Sequence, residues 1–275
     1  MAGTSLDWHT ETLQRDLQTV LPGVLVQALA EVDSTNTQLL ARLRADPTQP
    51  QLLVAESQSQ GRGRNGRSWQ SAPAASLTFS LGLPLAPVDW SGLSLAVGVA
   101  LADTIEPLGP GQRPRLQIKW PNDLWLRDAP GRWRKLGGIL IETVSAAGQR
   151  ACVVGVGLNL MPRDDLHGLG SGHAGVHELT PELEAPALLA RVAAPLAKAL
   201  RRFERDGLAP FADGFARRDL LQGLLVSTTL AAVPEGTAEG IDAQGALRVR
   251  QGTQQLSVSS GEVSVRPLAE APLGA

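Results

Sequence analysis

Cysteine is almost missing from this chain: Cys152 stands alone among 275 residues, so neither an internal disulfide nor a multi-cysteine zinc site can form. That usage suits a reducing cytosol and excludes a disulfide-stapled secreted scaffold. Tyrosine is absent, and aromatic residues make up 4% of the chain. Neither sign of charge is in excess. Lys+Arg 25 against Asp+Glu 27 leave a net charge of -2, which argues against a protein whose main task is to grip nucleic acid through a basic surface. Long apolar runs are lacking as well. The most apolar stretch, Leu93 to Ala102, is about half the length that spans a bilayer, and no basic segment followed by an apolar core opens the chain. These absences predict a soluble, cytoplasmic protein with no membrane partner. What is present is a globular composition, 43% hydrophobic with 29 glycines, and a length of just under two domains at roughly 150 residues each.

Residues 1 to 20 are polar and show no regular pattern. Val24 and Val26 predict a strand. The helix after it has Asp33 and Ser34 as capping candidates, apolar Leu39, Leu40 and Leu43, and a stop at Pro47. A second strand is expected at Leu52 to Glu56, and Leu77, Phe79, Leu81 and Leu83 alternate through a third. Leu93, Val97, Leu101 and Ile105 recur every four residues, marking one face of a helix that lies on the sheet. The segments LQIKW, LWL, LGGILIETV and RACVVGVGLNL, separated by short turns, read as antiparallel strands and hairpins, with Cys152 a core position rather than a nucleophile. Residues 161 to 181 are aperiodic. His167, His173 and His177 fall there, separated by glycines and without a nearby cysteine, and read as loop residues rather than a zinc site. A helix follows through Leu188, Val192, Leu196, Leu200 and Phe203, with Pro195 expected to kink or restart it and Gly207 to end it. From Leu224 onward, short β-like pieces with frequent turns predict a small barrel. The expected organisation is therefore α+β: a domain over 22–220, with a largely antiparallel sheet packed against helices, and a small β-barrel over 224–270.

Chemistry concentrates in four segments. Gly61 to Arg67 places three arginines and three glycines in seven residues, a loop whose N–H groups and guanidinium forks suit an anion, carboxylate or phosphate. It lacks the GK[ST] of a phosphate loop and the spacing of a dinucleotide fingerprint. With few apolar anchors, residues 60–69 are expected to be loose until a ligand closes them. Lys119-Trp120-Pro121-Asn122-Asp123 ends a strand in a turn carrying a cation, an amide and a carboxylate; a surface Asn-Asp turn would look the same. Lys135 precedes Gly137 and Gly138, and Gly155-Val156-Gly157-Leu158-Asn159 combines strand glycines with an amide.

Together with Asp33-Ser34-Thr35-Asn36, these segments resemble the biotin protein ligases, also called biotin-[acetyl-CoA-carboxylase] ligases or holocarboxylase synthetases. DSTN, GRGRNGRSW, KWPND, RKLGGIL, GVGLN, GIDAQGAL and GEVSVR occur in the family's order, from Asp33 to Arg266. The resemblance implies a class II synthetase-like catalytic fold, shared with lipoate ligases, and an SH3-like C-terminal barrel. It implies that biotin and ATP, with magnesium, form biotinyl-5'-adenylate, and that the acyl group passes to a lysine of the biotin carboxyl carrier protein of acetyl-CoA carboxylase. By the same resemblance Ser34, Thr35, Asn36, Gln58, Gly61, Arg62, Gly63, Arg64, Lys135 and Gly138 would bind biotin. Arg64, Arg67, Trp69, Asn122, Asp123 and Asn159 would hold ATP or the adenylate, with Arg62, Lys135 and Asp123 catalytic and Asp123 a candidate metal ligand. Glu262 and Arg266 would face the main domain. Only about 32 residues precede the DSTN segment, too few for the N-terminal DNA-binding module that some family members carry, so no DNA partner is expected. A monomer or homodimer fits equally. The competing readings are a lipoate-type ligase and a non-enzymatic module that binds nucleic acid or protein.

Overall fold

The structure is a computed structural model that describes residues 6–130, 132–162, 172–260 and 264–268. After a short helix, α1 (Thr10–Gln18), the chain forms β1 (Leu25–Val32), α2 (Thr35–Ala45), β2 (Gln51–Gln58), β3 (Ser76–Pro84) and α3 (Leu93–Ile105). Then come β4 (Leu116–Lys119), β5 (Asp123–Ala129), β6 (Arg132–Ala146) and β7 (Gln149–Asn159). The seven strands make one sheet in the order β1-β2-β3-β7-β6-β5-β4. β1 pairs with β2 in parallel across the α2 connection, and the other pairs are antiparallel. This is the largely antiparallel α+β sheet expected.

The two-residue period of the strands sorts their side chains into two faces. Phe79, Leu81, Ile139, Cys152, Val154, Val156 and Leu158 point to one face, where α3 and α4 (Ala185–Asp206) complete the main core. Burial there pushes the Cys152 thiol up to about 12, so it is an inert core group. On the opposite face α2 lays Leu39, Leu40 and Leu43 on Leu53, Val144 and Val153. Eleven residues of helix cover only one end of that face. The remainder floors a cavity.

Two elements differ from expectation. The polar N-terminal segment contains α1, held by Leu13 and Leu17 one turn apart, while Gln14 Oε1 accepts the Val26 amide at 3.0 Å and so covers part of the exposed β1 edge. Two apolar positions in nine residues are too brief a period to stand out in the sequence. α4 continues past Pro195 as one helix rather than restarting there. An interior proline costs about 3 kcal/mol, whereas burying each of Val192, Leu196, Leu200 and Phe203 contributes about 1.5–3 kcal/mol, so the packed stripe wins. Gly207 ends the helix at φ 65, as expected.

Arg218, at the end of α5 (Ala212–Arg218), has 0% exposure and donates to Asp103 at 2.8 Å, Glu106 at 3.1 Å and the Leu116 carbonyl at 2.9 Å. This buried cluster fixes α5 against α3 and β4 and delivers the chain to β8 (Leu225–Thr228), β9 (Glu235–Ile241), β10 (Leu247–Gln251), β11 (Gln254–Val258) and β12 (Val265–Pro267). These strands form a second, antiparallel sheet in the order β11-β10-β9-β8-β12. Its inner residues Val226, Ala238, Leu247 and Val249 continue the main core, and the Trp120 indole donates to the Gly245 carbonyl at 3.0 Å. Glu262 and His167 lie outside the described residues. Among the described residues no helix is long and apolar enough to cross a membrane.

Candidate active site

Strand alternation assembles the site. Thr78 and Ser80 of β3 are opposite Gly157 and Gly155 of β7, and these face Gly138 and Leu140 of β6. Asp123 of β5 pairs with Gly138, and Lys119 of β4 with Asp123. All therefore project from one face of the sheet, and all but Ser80, which lies beneath Asn36, line a cavity of about 1420 Å³.

The end nearest α2 is polar and uncharged. Ser34 caps α2 by accepting the Thr37 amide at 3.4 Å, which turns the helix N-terminus toward the sheet. Gln58 Oε1 accepts from the Thr35 amide at 2.7 Å and lies 3.1 Å from the Thr35 hydroxyl. Ser80 Oγ sits 2.7 Å from Thr35 Oγ1 and 2.6 Å from Asn36 Oδ1. A Cβ at Gly155 would come within 2.2 Å of Asn36 Oδ1, so only glycine admits the asparagine here.

At the far end the aromatic and amide groups gather. A Cβ at Gly157 would meet the Trp69 ring at 2.4 Å: the indole lies directly on the strand, with its Nε1 3.3 Å from Thr78 Oγ1. Asn159, two residues on and so on the same face, has 0% exposure, and neither of its side-chain polar atoms has a partner. A buried amide left open costs about 1–3 kcal/mol. Asn122 differs. It lines the cavity, and its Nδ2 donates to the Ile139 carbonyl at 2.7 Å while its Oδ1 accepts from Arg64 at 3.1 Å, so the amide also holds Arg64 and β6.

Across β6 and β5, to one side of these groups, lie the charges. Lys135 Nζ is 2.7 Å from Asp123 Oδ1, the only carboxylate among the described lining residues. Lys119 feels the same groups electrostatically. Burial pushes it down to about 8, with Lys135, Arg67 and Arg266 adding repulsion that Asp123 partly offsets, and its ammonium is 5.5 Å from the Trp125 ring centroid. Arg266 of β12 also lines the cavity, so the second sheet supplies one wall.

The arginine segment is a compact turn. Trp69 donates to the Gly61 carbonyl at 2.8 Å and Gly63 to the Arg67 carbonyl at 2.7 Å. Arg64, whose pKa desolvation lowers, also donates to the Ser260 carbonyl, and Arg67 lies 3.4 Å from Ser264 Oγ, tying the turn to the second sheet. Arg62 pairs instead with Glu142 of β6, at 3.0 Å. On the other side, Arg134 grips Asp128 at 2.7 Å together with Glu178, fastening residues 172–178 alongside Lys135. His173 is thereby a cavity wall, and His177 is bonded to the Leu183 carbonyl. Of the expected site residues, all but Gly61 and Asn159 line this cavity, while Thr78, Ser80 and Glu142 were not singled out and Lys119 had no assigned role. The first two were visible as the polar half of the Ser76-Leu77-Thr78-Phe79-Ser80-Leu81 alternation.

A layered fold with such a cavity defines a class, and the comparisons agree on which. The Biotin/lipoate A/B protein ligase family matches residues 28–159, and the Biotin protein ligase C terminal domain matches residues 229–266. The bifunctional ligase/repressor BirA of Escherichia coli is 35% identical over 251 residues, covering 90% of this chain and 75% of BirA. The biotin–[acetyl-CoA-carboxylase] ligases of Mycobacterium tuberculosis and Paracoccus denitrificans are each 32% identical, over 86% of this chain and 88% and 98% of theirs. Among solved structures, a biotin protein ligase from Aquifex aeolicus in complex with biotin and ATP has the same fold, with a TM-score of 0.71 at 24% identity over 88% of this chain and 99% of that one. The chain belongs to the biotin protein ligase family.

Proposed function

We propose that the protein is an ATP-dependent biotin–[acetyl-CoA-carboxylase] ligase, which makes biotinyl-5'-adenylate and transfers biotin to a lysine of a biotin carboxyl carrier protein. The observation that carries this reading is the gathering of three kinds of group in one cavity: neutral hydrogen-bonding side chains, a cation cluster and a tryptophan, with the open amide of Asn159 on the same sheet face beside them. These groups suit, in turn, a ureido ring, a carboxylate meeting phosphates, and an adenine. A dithiolane has no donors or strong acceptors to offer the polar end of the cavity, which disfavours lipoate.

In the first step a biotin carboxylate oxygen bonds to the α-phosphorus of ATP, and pyrophosphate leaves with the broken bond's electrons. Two anions must approach, so Arg62, Arg64 and Lys135 screen the joining groups, while Lys119, Arg67 and Arg266 are arranged to accept the charge of the departing pyrophosphate. Trp69 stacks on adenine, and Asn159 pairs with its edge. A single carboxylate does not make a metal cage, but it fits a magnesium ion held mainly by phosphates and water, with Asp123 as the protein ligand. Such an ion would supply further neutralisation of the phosphates. In the second step the carrier's lysine amine attacks the acyl carbon and AMP departs. The single, buried cysteine supports a cytoplasmic reading.

The test is ATP-dependent pyrophosphate release with biotin or lipoate, the adenylate being identified by mass spectrometry. The reading expects release with biotin alone; equal or greater release with lipoate overturns it.

A further inference from the structure

A continuous polar chain connects the beginning of the arginine turn to its first cation. It starts at Gln58, passes through Thr35, Ser80 and Asn36, and reaches Glu142, whose Oε2 accepts Asn36 Nδ2 at 3.0 Å. Glu142 then takes Arg62 by both oxygens, Nη2 to Oε1 at 3.0 Å and Nη1 to Oε2 at 3.2 Å. This fork joins a half-exposed turn to β6, the strand that also carries Lys135 and Gly138.

Glu142 has two possible effects on Arg62. A carboxylate inside the cavity would compete with a substrate anion; one behind the guanidinium would hold it in position. The placement decides: Arg62 lines the cavity and Glu142 does not. The fork occupies one edge of the guanidinium, leaving other N–H donors for the cavity. The side-chain exposure is 47% for Arg62 and 22% for Glu142, so the anchored partner is the carboxylate. An arginine on a glycine-rich turn otherwise loses much rotamer entropy when it engages a ligand, and pre-orienting it removes that cost.

We propose that Glu142 is a positioning residue that aims Arg62 at the carboxylate of the acyl substrate, and that Asn36 couples this aim to the ring-binding end of the cavity. The inference rests on the biotin reading of the site. Its test compares affinity for biotin with affinity for biotin methyl ester, which keeps the ring but has no carboxylate charge, in the wild type, Glu142→Gln, Arg62→Ala and the double variant. The biotin-over-ester preference cancels any general loss of folding. It should fall about tenfold in Glu142→Gln and in Arg62→Ala, with little further loss in the double variant. An unchanged preference in Glu142→Gln with a lowered one in Arg62→Ala overturns the role of Glu142 while leaving the site reading intact. A raised preference in Glu142→Gln makes Glu142 a competing anion and overturns the proposal too. No change in either single variant removes Arg62 from the carboxylate and takes the site reading with it.

Discussion

Replacing Lys119 by methionine should stabilise the protein while weakening its hold on nucleotide. The side chain is held in a crowded cationic pocket, where burial and three neighbouring cations bring its pKa from 10.5 to about 8. The unfolded chain keeps the ordinary value, so at any pH below 8 both states carry the charge and the folded state bears the full cost. That difference corresponds to about 3 kcal/mol at pH 7. As pH rises from 8 toward 10.5 the folded protein releases the proton first, and the cost fades to about 2 kcal/mol at pH 9 and under about 1 kcal/mol at pH 10. Methionine is close in volume and uncharged; losing the contact with Trp125 returns roughly 0.5–1 kcal/mol. Lys119→Met should therefore be about 2–3 kcal/mol more stable in urea at pH 7, with the advantage shrinking steadily to pH 10. Its nucleotide affinity should drop about tenfold, the loss of one charge-assisted contact. A variant less stable than the wild type at pH 7, or an advantage that does not change with pH, would refute the reasoning.

Three other outcomes follow from the same geometry. Asn159→Leu removes a buried amide with no partner, so it should leave stability unchanged or raise it by about 1–2 kcal/mol and leave biotin binding intact, while ATP binding, measured by calorimetry, falls at least about tenfold; unimpaired ATP binding would remove Asn159 from the adenine site. Lys135→Ala should cut adenylate formation at least about 100-fold without loss of fold, and near-normal pyrophosphate release would take Lys135 out of the reaction. Trypsin should cut the empty protein at exposed Arg62 or Arg67, and biotin with ATP and magnesium should protect both; equal cleavage rates would mean that the turn does not close on ligand.

The motifs made the site legible because each couples a backbone constraint to a chemical group. Gly155 and Gly157 are needed for Asn36 and Trp69 to reach the sheet, so glycine spacing in a strand already signalled close approach. The leucine alternation of β3 announced the buried face, and its polar partners lie on the opposite face, Thr78 lining the cavity and Ser80 beneath Asn36. Lys119 and Glu142 were harder to see. Each is one charge in a strand, and a charge in a strand reads as a solvated edge until the register shows which side chains surround it. Local sequence also does not reveal that Arg64, 58 residues away, donates to the Asn122 amide oxygen. Pro195 and α1 were hidden for a related reason: in both, tertiary burial outweighs the local signal.

The central claim is tested most directly by incubating the purified protein with labelled biotin, ATP, magnesium and a biotin carboxyl carrier domain, with labelled lipoate in a parallel reaction. The account predicts ATP-dependent label on one lysine of the carrier from biotin and none from lipoate. An unlabelled carrier under conditions where biotin and ATP both bind, or label transferred from lipoate instead, would contradict it.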